Sequence, residues 1–81
     1  MEYRVGVVAI VVENLKSAPK VNEILHEYAS LIVGRMGIPY KQKGISVISI
    51  IVDGTTDQIS ALTGKLGRVE DVHVKSAITK K

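Results

Sequence analysis

Residues 3–12 read Tyr-Arg-Val-Gly-Val-Val-Ala-Ile-Val-Val, and residues 45–52 read Ile-Ser-Val-Ile-Ser-Ile-Ile-Val. Both stretches are rich in β-branched residues, and neither keeps the strict alternation of a strand with one wet face. From Val7 onward both sides of the first are apolar. In the second, Ile48, Ile50 and Val52 form one side, with Val47, Ser49 and Ile51 on the other. Two such strands belong at the centre of a sheet.

The flanking segments supply the rest of the order. Glu13-Asn14 closes the first run, Ser17 is placed to cap a helix, and Pro19 is tolerated in its first turn. Val21, Ile24, Leu25, Tyr28, Leu31 and Ile32 then follow at helical spacing, with Lys20, Glu23, His26, Glu27 and Ser30 opposite them. This predicts a helix over 17–33. Pro39, Lys41 and Lys43 mark a short edge strand near 36–42, since proline cannot donate to a ladder and lysine blunts an exposed edge. Asp53-Gly54 turns the chain after the third strand, near 45–53. Thr55 and Gln58 have capping-box spacing ahead of Ile59, Leu62 and Leu66, a helix over 55–66 with Gly67 as its C′ residue. Over 69–78, Val72, Val74 and Ile78 alternate with Asp71, His73 and Lys75.

The resulting β-α-β-β-α-β order predicts a single α+β domain over 1–81, of the ferredoxin-like type. Its antiparallel four-stranded sheet takes the order 4-1-3-2, with both helices on one face. The doubly apolar first and third strands fall at the centre, and the proline- and lysine-bearing second strand falls at an edge. Helices cover only one face, so Val8, Ile10 and Val12 or their alternates, with matching residues of the third strand, are left facing water. A bare apolar sheet face marks an interface. The expectation is a homo-oligomer joined through it. The composition agrees, because a domain of 81 residues without Phe, Trp or Cys has limited means of stabilising itself alone.

The chain is 46% hydrophobic, 4% aromatic and 23% charged, with formal net charge +3. No apolar run approaches the roughly 18–20 residues of a membrane span, and no leader with a cleavage site is evident, so a cytoplasmic protein with no membrane partner is expected. Zero cysteines exclude disulfides, thiolate catalysis and Cys-based metal centres. Lys80 and Lys81 supply most of the positive excess, which reads as a solvated tail. RNA-recognition modules of this topology stack bases on aromatics of the first and third strands. Here the third strand has none and the first has only Tyr3.

The histidines, His26 and His73, lie on polar faces with no Ser or carboxylate placed beside them by spacing. Neither fits a metal-ligand pattern. Gly64-Lys65 lacks the first glycine and the terminal Ser/Thr of a phosphate loop, with Ile59 and Leu66 in those places. No catalytic residue, metal or cofactor is implied. What stands out is Gly34-Arg35-Met36-Gly37-Ile38-Pro39-Tyr40. One reading is a plain helix-to-strand connection, with glycines at positive φ and Arg35 a surface charge. The other is a cradle for a small anionic effector. Arg35 would pair the anion, Gly37 would admit it to the backbone and Tyr40 would add a phenolic donor, while Asn14 and Lys65 contribute from neighbouring loops or subunits.

This segment, with Val21-Asn22-Glu23-Ile24-Leu25, Gly44-Ile45-Ser46-Val47-Ile48 and Ser60-Ala61-Leu62-Thr63-Gly64-Lys65-Leu66-Gly67, resembles the small regulators associated with the iron-only hydrogenase system. The resemblance spans nearly the whole chain. It implies an ACT-like domain, similar to the C-terminal ligand-sensing domain of nickel-responsive repressors. Those repressors bind nickel through three histidines and a cysteine. Here Tyr40, Lys41 and Lys43 occupy the second strand and no cysteine exists, so nickel sensing is not carried over. The repressors also have an N-terminal ribbon-helix-helix domain, whereas this chain opens on its first strand, so no direct DNA binding is expected. ACT-like domains commonly hold effectors between subunits near the first strand-to-helix connection, here Glu13 to Ser17.

The expected function is a non-catalytic, effector-binding regulatory module with a hydrogenase-system protein as partner. Two alternatives stand beside it. One is a small oligomeric enzyme whose site is completed across subunits by Arg35, Lys65 or His73. The other is a structural partner in hydrogenase maturation.

Overall fold

The computed structural model describes residues 2–79. The Lys80–Lys81 tail lies outside them. Strand β1 (Tyr3–Val12) leads through a 3-10 turn at Leu15–Ser17 into helix α1 (Ala18–Glu27). A second 3-10 turn, Ala29–Leu31, feeds β2 (Ile32–Tyr40), which returns through Lys41–Lys43 as β3 (Ile45–Thr55). Helix α2 (Thr56–Gly67) and β4 (Val72–Ile78) complete the β-α-β-β-α-β order.

The sheet is antiparallel throughout, in the order β2-β3-β1-β4. Read from its other edge this is the expected 4-1-3-2. Side chains alternate across a strand, so the two central strands divide cleanly. Val8, Ile10 and Val12 from β1, with Ile48, Ile50 and Val52 from β3, enter the core. There they join Val21, Ile24 and Leu25 of α1 and Ile59, Leu62 and Leu66 of α2. Each such side chain contributes roughly 1.5–3 kcal/mol by leaving water. Thr55 caps α2 with both bonds of the box: its hydroxyl accepts from the Gln58 amide at 3.2 Å, and its own amide donates to Gln58 Oε1 at 2.9 Å.

Four local expectations are corrected. Helix α1 stops at Glu27 rather than 33, where Tyr28 leaves helical geometry at φ −106° and ψ 23°. The β-branched Ile32 and Val33 favour extended backbone, and Ile32 pairs with Val52. The edge strand expected near 36–42 is present but runs from Ile32 to Tyr40, so Gly34 and Arg35 lie within it instead of in a connection. Its glycines do not take positive φ; Gly44, at 66° in the β2–β3 turn, does. Ser17 makes no side-chain cap to α1 and instead donates to the Glu70 carbonyl at 2.8 Å. Gly67 ends α2 within the helix, and the left-handed residue before β4 is Asp71, at φ 61°. That is why β4 begins at Val72 instead of 69.

Candidate functional site

The other side of the sheet carries no helix. Tyr3, Val5 and Val7 of β1, Val47 and Ile51 of β3, and Met36, Ile38 and Tyr40 of β2 alternate with the core positions and are all exposed. Among the described residues, these are eight of the ten large apolar side chains on the surface; Leu15 and Val33 are the others. The register sets Ile38 beside Val47 and Val47 beside Val11, so the apolar surface runs unbroken from β2 across to β1. It was Val5, Val7, Val47 and Ile51, the alternates of the core set, that remained uncovered.

Arg35 lies on the opposite side of β2. Its Nη2 donates to Oδ1 of Asn22 on α1 at 3.1 Å. Together they edge a hollow of 380 Å³, completed by Leu25, His26, Ala29 and Ile32 at the margin between α1 and β2. A guanidinium, a side-chain amide and an imidazole above an apolar floor form a set of donors suited to a carboxylate or phosphate. Gly37 follows two residues later on the same side. A Cβ there would meet only Ile48 Cγ1, at 3.7 Å, so the approach beside Arg35 is open.

The remaining candidates go elsewhere. Tyr40, five residues from Arg35 on one strand, projects to the bare sheet face. Asn14 is engaged in structure: its Oδ1 accepts from the Lys16 amide at 3.0 Å, and its Nδ2 donates to Asp71 Oδ2 at 3.4 Å. The whole Glu13–Ser17 connection is fastened to the approach to β4, with the Glu13 amide on the Asp71 carbonyl at 2.8 Å. Lys65 Nζ lies 3.2 Å from Glu27 Oε1 and 5.3 Å above the Tyr28 ring. Its hydrogen bond to Glu27, seconded by Tyr28, holds the ammonium above its ordinary pKa. A lysine kept charged in this way is a poor nucleophile or base.

Arg35 thus lines the hollow and Gly37 shares its strand face without lining it, whereas Asn14, Tyr40 and Lys65 lie elsewhere. The sequence reading missed Asn22 and His26, although the i, i+4 spacing of those two on a helix was visible. His73 pairs with Glu13, Nε2 to Oε1, at 2.5 Å. Among the described residues no group of three or more His, Asp and Glu could hold a metal ion, and no helix is long and apolar enough to cross a membrane.

Residues 4–76 match the TM1266-like family, described as "Iron-only hydrogenase system regulator, putative". The chain belongs to that family. The uncharacterized protein TM1266 from Thermotoga maritima is 35% identical, with a TM-score of 0.92 over 98% of this chain and 100% of that one. The ACT domain of a GTP pyrophosphokinase from Chlorobium tepidum is 15% identical and superposes with a TM-score of 0.76, covering 95% of this chain and 100% of the domain. A nitrogen regulatory PII-like protein from Thiomonas intermedia, bound to ADP, AMP and bicarbonate, is 11% identical with a TM-score of 0.53, over 99% and 96% of the two chains. These last two share the fold of the family and no more. No curated protein matches the chain.

Proposed function

We propose that the chain is a non-catalytic regulatory module of the iron-only hydrogenase system, which senses a small anionic effector at Arg35 and works in the cytoplasm as a homo-oligomer. The observation that carries this reading is the Arg35–Asn22 pair over its hollow. A rigid fork of donors, already oriented by one hydrogen bond, loses little freedom when it accepts a carboxylate or phosphate. The family's association with hydrogenase regulation and the ACT-like fold support a sensing role over a catalytic one. The bare sheet face supports assembly with further copies, and a hydrogenase-system protein is the partner that the family implies.

Thermal unfolding in the presence of small dicarboxylates, phosphate and nucleotides tests this. An effector at 100 times its Kd stabilises the protein by about 2.7 kcal/mol. Arg35→Ala should abolish that gain while leaving assembly intact. Loss of assembly instead assigns Arg35 to architecture, and turnover of a ligand without a stable complex favours an enzyme.

A further inference from the structure

Two adjoining hollows run along the free edge of β4. The first, of 590 Å³, follows Val72 to Ser76 beneath Thr63 and Gly67 of α2. The second, of 250 Å³, shares Thr63 and Ser76 and continues to Arg4 and Ile78. The cause is in the sequence. Thr56, Ser60, Thr63 and Gly67 recur at intervals of four, three and four, so they share one side of α2, and all are small. The helix packs against β4, but these short side chains leave hollows between it and the strand. β4 pairs with β1 along one edge only, and its other edge borders this trough.

We propose that the trough binds an extended peptide segment of a partner protein, added to the sheet beside β4, with apolar and acidic side chains in alternation. A strand added to a free edge obtains its affinity from the backbone and its specificity from pockets for alternate side chains. One set would enter the trough, next to the half-buried Val74 and Ile78. The other set would lie on the opposite side, level with Lys75, whose ammonium attracts a carboxylate across the strands, next to His73 on its Glu13 partner. Arg4 stands at the far end with its Nη1 on the Thr79 carbonyl at 3.0 Å, and its buried Nε has no hydrogen-bond partner among the described residues. Pairing of β4 with β4 of a second copy is disfavoured, because an antiparallel pairing centred on this strand brings two Lys75 ammonium groups together. The occupant is a different chain. This inference does not depend on the effector reading.

The test uses the full chain, isotope-labelled for NMR, titrated with a synthetic ten-residue peptide alternating Val and Glu. Saturable shifts and slowed amide exchange should be confined to β4 and to the side of α2 bearing Ser60, Thr63 and Gly67. Thr63→Trp fills the trough and should remove binding. Lys75→Glu, a surface change that leaves the fold alone, should weaken the Val/Glu peptide about fivefold and strengthen a Val/Lys peptide by a similar factor. Absence of saturable binding, shifts on the bare sheet face, or equal affinity of both peptides for Lys75→Glu overturns the proposal.

Discussion

Arg35, the only cation of β2, stands on the helix side of the sheet and donates to Oδ1 of Asn22 on α1 at 3.1 Å. The bond is exposed, so its net contribution is small. Arg35→Ala should therefore lower stability by less than about 1 kcal/mol in urea unfolding. A larger loss would mean that the guanidinium holds α1 against the sheet, and the effector reading would lose its basis.

Gly6 is a different matter. It pairs with Ile78 across β1 and β4, and a Cβ there would lie 2.8 Å from the Ala77 carbonyl oxygen. The obstacle is backbone and cannot swing aside. Gly6→Ala should destabilise by roughly 2 kcal/mol or more, whereas Gly37→Ala, with only Ile48 Cγ1 at 3.7 Å, should be close to neutral. The pair of denaturation midpoints checks both.

At the start of α2, Thr55→Ala removes the acceptor for the Gln58 amide and should cost about 1 kcal/mol. Thr55→Ser keeps that oxygen and should recover most of the loss. Equal effects of the two substitutions would point to the Thr55 methyl group rather than to the cap.

The Lys65–Glu27 pair sets an alkaline dependence. Its ammonium is held above the ordinary value of 10.5, chiefly by the hydrogen bond it donates to Glu27. A group whose pKa is raised on folding stabilises fully below the unfolded value and ceases to do so as pH rises through the folded one. Wild type should thus lose more stability than Glu27→Gln between pH 10 and the folded pKa, and the Lys65 titration followed by NMR should shift down in the variant. An unchanged midpoint would contradict the assignment.

The fold was legible because its decisive signals are long and redundant. Residues 3–12 and 45–52 are apolar on both sides, and only a central position in a sheet satisfies that. The capping box at Thr55 and Gln58 was equally direct, being a local pattern whose partners lie three residues apart. The end of α1 was not, since Leu31 and Ile32 continue the helical spacing while Ile32 is claimed by Val52, twenty residues later. The same long-range pairing carried the expected edge strand back from 36 to Ile32, and strand alternation then separated Arg35 from Tyr40. Asn14 and Lys65 were chosen for chemistry alone. Their partners, Asp71 and Glu27, are distant in sequence, so nothing local revealed that they were already engaged.

Assembly through the bare sheet face follows from Val5, Val7, Val47 and Ile51, which stand 39–45% exposed in a single copy. With strands about 4.8 Å apart and about 3.4 Å per residue, the apolar part of β2, β3 and β1 covers roughly 400 Å² in projection before side-chain relief is counted. That flat area is about half of the roughly 800 Å² of accessible surface per partner in a standard interface, with side-chain relief supplying more. Sedimentation velocity at low micromolar concentration is the direct measurement. Wild type should show no monomer, and Ile51→Glu should sediment as a folded monomer with an unchanged circular dichroism spectrum. A wild-type protein that remains monomeric at that concentration would contradict the account.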